Sequence, residues 1–94
     1  MMKLFVIADQ SLSKRQQFVQ GAHAIAQYQM DHPNSGWLNG TLVMLKAKDV
    51  GEWAHMLWDK GIKFSKFSDP YYGEDITAIS ALNIGDLVAN LKLI

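Results

Sequence analysis

The sequence predicts an α/β domain in which a mixed sheet of four strands is flanked by about three helices. Short apolar segments alternate with segments of helical periodicity, in the order strand, helix, strand, helix, strand, strand, helix. The chain has 94 residues, 49% of them hydrophobic, which suits one domain over residues 1–94. No repeat, linker or low-complexity segment divides it.

Composition limits the classes of function. Nine basic residues balance nine acidic ones, whereas proteins that grip long nucleic acids usually have a basic surface. A nucleic-acid partner would therefore be small or held locally. The chain has no cysteine, which excludes disulfides and thiolate metal sites, and we expect neither a metal nor a cofactor. No segment approaches the roughly 20 apolar residues of a membrane span, so we expect a soluble cytoplasmic protein without a membrane partner.

The first strand is predicted over residues 4–8, a continuous apolar run typical of a strand that is covered on both faces. Asp9 follows, and the chain then enters a helix over residues 13–30 with Ser13 as its N-cap. A carboxylate just past a buried strand lies where open α/β sheets hold ligands. A turn-forming aspartate is the commoner case, so both interpretations of Asp9 stay open.

The helix over residues 13–30 has two predicted faces. An apolar stripe toward the core is expected from Phe18, Ala22, Ile25, Ala26 and Gln29. A polar edge is expected from Gln16, Gln20, His23 and Gln27. At the helix start, unpaired amides, the positive end of the helix dipole and the cations Lys14 and Arg15 together favour an anion. The simpler interpretation is that the polar edge is a solvated surface and that Lys14 and Arg15 are ordinary surface cations.

The later elements are predicted from apolar runs and from residues that cap or break helices. Strands are expected over residues 41–46, 62–67 and 76–82. Asp49 is expected to cap a second helix, and a last helix is expected around residues 86–91. The loop between the third and fourth strands, residues 68–75, is rich in turn formers and carboxylates and carries Tyr71 and Tyr72.

The ordered set of these features resembles the type-2 peptidyl-tRNA hydrolase family over nearly the whole chain. That family has an apolar first strand followed by an aspartate, and a first helix carrying Gln-x-x-His-Ala, which stands here as Gln20-Gly21-Ala22-His23-Ala24. The family also has a tryptophan before the second strand, which Trp37 resembles, and an aspartate after the third strand, which Asp69 resembles. The resemblance implies that family's fold, and metal-independent hydrolysis of the ester between a peptide and the terminal ribose of tRNA, usually by a homodimer.

The resemblance also implies where a site would lie. Family members combine a lysine, the helix glutamine, an aspartate, and a threonine from the loop before the last strand. Gln20 and Asp69 take two of these positions, while the lysine falls on Gln16, with Lys14 two residues away. The loop threonine has no evident counterpart. We expect the helix start, the polar helix edge and the acidic loop to converge on one pocket, where the two loop tyrosines either stack on a base or pack beneath the loop.

Three functions remain open on this basis. The first is capture, with or without cleavage, of a small nucleotide-type ligand, for example by a viral anti-defence protein that acts on a nucleotide immune signal. The second is an active peptidyl-tRNA hydrolase that engages the tRNA 3′ end. The third is a non-catalytic interaction module with Trp53 or Trp58 facing a partner. The candidate catalytic residues are Lys14, Gln20, His23 and Asp69, with His23 included because imidazole exchanges protons near neutral pH. The candidate ligand-binding residues are Asp9, Ser13, Lys14, Arg15, Gln16, Gln20, Tyr71 and Tyr72.

Overall fold

Residues 2–94, described by a computed structural model, form a compact α/β fold with a mixed five-stranded sheet and two α-helices. The strands are β1 (Lys3–Asp9), β2 (Thr41–Ala47), β3 (Ser65–Phe67), β4 (Ala78–Leu82) and β5 (Lys92–Leu93). The helices are α1 (Lys14–Asp31) and α2 (Val50–Asp59), and a short 3-10 helix spans Pro70–Tyr72. The predicted α/β class is confirmed, but the predicted four strands and about three helices are wrong in number. None of the helices in this part of the chain is long and apolar enough to cross a membrane.

The sheet has the order β3-β4-β1-β2-β5, in which β1 and β2 are parallel and the other neighbouring pairs are antiparallel. The edge strands β3 and β5 have three and two residues. This topology brings several connections to one end of the sheet, which we call the upper end. They are the β1–α1 connection, the β2–α2 connection, the β3–β4 loop and the residues that lead into β5. The upper end includes the carboxyl ends of the parallel strands, where α/β proteins commonly bind ligands.

The central strand β1 is buried on both sides, as its apolar run predicts. All five residues from Leu4 to Ala8 are buried. On one face of the sheet, Phe5 and Ile7 pack in a cluster with Ala54 and Leu57 of α2. On the other face, α1 packs against the sheet through a second cluster, which consists of Val6, Ala8, Ala24 and Ala78. The sheet therefore separates two apolar layers.

The buried face of α1 is not the predicted apolar stripe. Its buried residues are Gln17, Gln20, Gly21, Ala24 and Tyr28. Phe18 of the predicted stripe is 43% exposed, and Ala22 and Ala26 are exposed as well. Small residues let α1 lie close to the sheet, because a Cβ added to Gly21 would meet Cε of Met44 at 2.5 Å. The Gln20 amide is hydrogen-bonded at both ends, whereas Gln17 donates from Nε2 to the Leu12 carbonyl at 2.8 Å and its buried Oε1 has no partner within residues 2–94.

Residues 86–91 do not form the predicted last helix. The backbone N–H groups of Leu87 and Val88 both bond to the Ile84 carbonyl, at 3.0 and 3.3 Å, and that of Leu91 bonds to the Val88 carbonyl at 2.9 Å. These are successive turns. They bury Ile84 and Val88 and then deliver the chain to β5, a strand too short to be predicted from periodicity. The third and fourth strands are also shorter than predicted, since they begin at Ser65 and Ala78.

Both predicted N-caps are confirmed. The Ser13 hydroxyl accepts a hydrogen bond from the Gln16 N–H at 3.2 Å, and Oδ1 of Asp49 accepts one from the Glu52 N–H at 3.0 Å. Each cap satisfies one amide that the first turn of a helix leaves without a partner. The Ser13 cap fixes where α1 begins and therefore where its first turn lies at the upper end of the sheet.

Candidate functional site

A buried glutamine joins α1 to the β3–β4 loop at the upper end of the sheet. The Gln20 side chain is fully buried; its Nε2 donates to Oδ2 of Asp69 at 2.9 Å and its Oε1 accepts from the Thr77 hydroxyl at 2.6 Å. Because the amide donates on one side and accepts on the other, its orientation is fixed. The structure thus brings two of the predicted site residues, Gln20 and Asp69, into direct contact across 49 positions of sequence.

Thr77 belongs to this network and was not predicted. Its side chain is buried, its hydroxyl also lies 3.1 Å from the Phe67 carbonyl, and its backbone N–H donates to the same carbonyl at 2.9 Å. Its own carbonyl accepts from the Asp9 N–H at 3.0 Å. Thr77 therefore links the ends of β1 and β3 to α1. The available signal was a polar residue inside the apolar run over residues 76–82, since buried polar groups are almost always hydrogen-bonded.

The Asp69 carboxylate is held in its ionised form near neutral pH. The hydrogen bond from Gln20 lowers the pKa of Asp69 most, the Tyr71 N–H, which lies 3.0 Å from Oδ1, lowers it further, and the charge of His23 adds a smaller effect in the same direction. Partial burial acts against these effects. An ionised carboxylate has about four lone-pair sites, so sites remain for a ligand. A carboxylate with a lowered pKa is a weak base at neutral pH and suits the binding of hydroxyl groups better than the removal of protons.

Two pairs of aromatic rings lie in the β3–β4 region and on the edge of α1. Tyr71 is 85% exposed and meets the half-buried Tyr72 edge to face, with ring centroids 5.0 Å apart. His23 is exposed and stacks on Phe67 with a centroid distance of 4.3 Å and an interplanar angle of 7°. Tyr71 does not pack beneath the loop, so most of its ring surface is accessible to a flat ligand.

The start of α1 supplies cations, but it does not bring them to Gln20. Lys14 and Arg15 are exposed, and within residues 2–94 neither their side chains nor their backbone amides form a hydrogen bond or an ion pair. Lys14 and Gln20 are six residues apart, which turns their side chains by about 120° around the helix axis. Gln16, which occupies the position of the family lysine, is within reach: its Oε1 lies 3.4 Å from Nε2 of Gln20.

Asp9 forms a local turn, the commoner of its two predicted roles. Its Oδ1 accepts a hydrogen bond from the Ser11 N–H at 2.9 Å, and its side chain is half-buried at the upper end. No cluster of three or more His, Cys, Asp or Glu side chains within residues 2–94 is arranged to hold a metal ion.

Comparison with known proteins identifies the fold and names no function. The sequence matches no family model and no curated protein. A solved structure of a protein of unknown function from Agrobacterium tumefaciens strain C58 is similar, with a TM-score of 0.69 and 10% sequence identity, over 99% of this chain and 97% of that one. At this identity the similarity shows a shared architecture alone. The resemblance to type-2 peptidyl-tRNA hydrolases therefore stays a prediction.

Proposed function

We propose that this protein binds a small nucleotide-type ligand at the upper end of its sheet, on a fold similar to that of type-2 peptidyl-tRNA hydrolases. One observation carries the proposal. The buried Gln20 amide spans Thr77 and Asp69 and so holds an ionised carboxylate that also accepts from the backbone N–H of Tyr71, a residue whose side chain is exposed. A fixed carboxylate acceptor and an accessible aromatic ring in the same loop are suited to the ribose and the base of a nucleoside.

Three features correspond to the three parts of a nucleotide. The Asp69 carboxylate can accept hydrogen bonds from ribose hydroxyls. The Tyr71 ring can stack on the base, an interaction worth about 1–3 kcal/mol. The first turn of α1, with unused amides and the cations Lys14 and Arg15, favours a phosphate group. The zero net charge of the chain suits a small ligand better than a long nucleic acid.

The hydrogen bonding of Thr77 and the ionisation of Asp69 favour binding of a ligand over its hydrolysis. The Thr77 hydroxyl is buried and already donates its proton to Gln20, so it does not offer that proton to an oxyanion. The lowered pKa of Asp69 makes it a weak base. The loss of one oxyanion donor typically costs about a hundredfold or more in rate. Sequestration of a nucleotide immune signal by a viral anti-defence protein is a setting in which binding without cleavage is sufficient.

An active peptidyl-tRNA hydrolase is the second candidate, because the contact between Gln20 and Asp69 joins two members of the site that the family resemblance implies. Turnover of a peptidyl-tRNA that is abolished by Asp69→Ala would favour this candidate. Intact substrate after incubation with wild-type protein would remove it. A homodimer is the assembly expected from the same resemblance, and analytical ultracentrifugation measures it directly.

Calorimetry with a panel of linear and cyclic nucleotides and ADP-ribose tests the first proposal. We expect at least one member to bind, and Tyr71→Ala to weaken that binding by about tenfold through lost stacking, while Tyr71→Phe retains it. Asp69→Asn should weaken binding too. Asp75→Asn is the matched control, since it removes one exposed carboxylate from the same loop. Absence of heat from every member would refute the proposal, and equal losses in the Asp69 and Asp75 variants would refute the role of Asp69.

A further inference from the structure

A polar cavity lies at the end of the sheet opposite to the upper end, which we call the lower end. It has a volume of about 370 Å³ and is lined by the last turn of α1 and by the segment that follows this helix. Lys63, which precedes β3, and Leu82, which ends β4, complete the lining. The cavity is separate from the Gln20–Asp69 network, which lies at the upper end.

The lining of the cavity lies on the face of the sheet that α1 covers. Leu82 packs against the apolar cluster that contains Tyr28 of α1. The Ser65 hydroxyl donates to Oδ2 of Asp31 at 2.7 Å, so β3 presents Ser65 to the end of the same helix. Lys63 is two residues before Ser65 and lines the cavity, as the alternation of side chains along a strand places it. The helix end and the sheet therefore enclose one space.

Tyr28 brings to this cavity a hydroxyl that the fold does not use. The residue is only 3% exposed, yet its hydroxyl forms no hydrogen bond within residues 2–94. The hydroxyl is not sealed in the core either, because Oε1 of Gln17 is the one fully enclosed side-chain polar atom without a partner in this part of the chain. Since Tyr28 lines the cavity, its phenol oxygen opens into that space. Burial raises the pKa of Tyr28, so the hydroxyl keeps its proton at neutral pH and can donate it to a ligand.

The cavity holds one group of each charge, and the two do not pair. Lys63 is exposed and forms no ion pair within residues 2–94. Hydrogen bonds from the Ser65 and Gln27 side chains lower the pKa of Asp31, so its carboxylate is ionised at neutral pH. An ionised carboxylate has about four lone-pair sites, and two bonds leave part of them free. Asp31 also ends α1, where the last helical carbonyls and the negative end of the dipole favour a cation.

We propose that this cavity binds a small zwitterion, an α-amino acid, whose carboxylate meets Lys63 and the Tyr28 hydroxyl and whose ammonium group meets Asp31 and the carbonyl end of α1. The helix end and Asp31 disfavour a simple anion, and Lys63 disfavours a simple amine, so both charges belong on one molecule. The Asn34 side chain also lines the cavity and can donate or accept a hydrogen bond. A volume of about 370 Å³ is near the small end of ligand pockets and suits a ligand of this size. The inference does not rest on the nucleotide site at Asp69.

Calorimetric titration with a panel of L-amino acids tests this inference. We expect at least one to bind, and its analogues without the amino group or without the carboxyl group to bind at least about tenfold more weakly, since each loses a charge-assisted hydrogen bond. Lys63→Gln should weaken binding by about tenfold for the same reason. Lys66→Gln is the matched control with the same change in charge, because Lys66 is exposed and pairs with Ile79, which packs in the cluster on the other face of the sheet.

Tyr28→Phe tests the hydroxyl apart from the fold. Because the hydroxyl has no partner to lose, the variant should keep the Tm of the wild type in buffer alone, and it should bind the amino acid about tenfold more weakly. The amino acid should raise the Tm of the wild type more than that of the variant. Asp69→Asn should leave amino-acid binding unchanged, whatever it does to the nucleotide panel.

Four results would overturn the inference. They are the absence of heat from every amino acid, equal binding of an amino acid and its analogue without the amino group, equal losses in the Lys63 and Lys66 variants, and a clear fall in the Tm of ligand-free Tyr28→Phe. The last result would show that the hydroxyl has a partner within the protein.

Discussion

Replacement of Thr77 by valine tests the buried network most directly, because it removes one hydroxyl and keeps the shape of the side chain. The variant leaves Oε1 of the fully buried Gln20 without its 2.6 Å donor. An unsatisfied buried polar atom costs about 1–3 kcal/mol. We therefore expect the free energy of unfolding to fall by about 2 kcal/mol, and Tm to fall by about 10 °C for a chain of this size.

Urea unfolding followed by tryptophan fluorescence measures this loss, and a double-mutant cycle assigns it. Gln20→Met removes the other partner, so the double variant should cost less than the sum of the single ones, with a coupling of about 1–2 kcal/mol. Ser80→Ala is the matched control. It removes another buried hydroxyl, which donates to the Ala24 carbonyl at 2.8 Å, and its cost should add to that of Gln20→Met. Additive costs for Thr77→Val and Gln20→Met would refute the reasoning.

Three further predictions concern packing and pH. Gly21→Ala should leave the free energy of unfolding within about 1 kcal/mol of the wild type, because the gain in helix propensity is offset by the contact of the new Cβ with Cγ1 of Val6 at 3.2 Å and by displacement of the flexible end of Met44. Urea unfolding measures this balance, and a variant more stable than the wild type by over about 1 kcal/mol would show that the sheet gives way at no cost. The pKa of Asp69 is lowered in the folded protein, chiefly by the Gln20 hydrogen bond, so the ionised carboxylate stabilises the fold above the unfolded pKa and this stabilisation is lost as pH falls below about 4. Asp69→Asn should therefore reduce the fall in the free energy of unfolding at acid pH. An unchanged fall would exclude this contribution of Asp69. Burial raises the pKa of Tyr28, so the free energy of unfolding should decline as pH rises above about 10. Tyr28→Phe should remove the part of this decline that comes from ionisation of Tyr28. An undiminished decline in the variant would assign the alkaline loss of stability to other groups.

The sequence identifies elements whose hydrogen bonds and apolar contacts are local. The caps at Ser13 and Asp49 follow from single residues beside a helical pattern, and each accepts the expected hydrogen bond. The buried face of α1 could not be found in this way. Apolarity marks Phe18, whereas the core receives Gln17 and Gln20. Nε2 of Gln17 donates to the Leu12 carbonyl at 2.8 Å, and Nε2 of Gln20 donates to Asp69. Hydrophobic periodicity carries no information on such distant partners.

The candidate site was also predicted only in part. The resemblance to type-2 peptidyl-tRNA hydrolases implies that Gln20 and Asp69 share one site, and the structure joins these two residues. The participation of Thr77 depends on register, because Ala8 pairs with Ala78 and thereby sets Thr77 beside Asp9. A strand register is decided by the assembled sheet and not by any one segment. The two-residue strand β5 has the same origin, since it forms only where β2 offers a partner.

The short edge strands of the sheet, β3 and β5, affect the self-association of this protein. Lys66 of β3 and Lys92 of β5 are both exposed there. A neighbouring molecule that extended the sheet would have to bring its own backbone against these ammonium groups, which is how natural proteins block aggregation through open strands. With zero net charge, the chain has little overall repulsion to keep molecules apart at neutral pH. The lysines on the two edge strands supply repulsion locally, so self-association through strand addition is disfavoured.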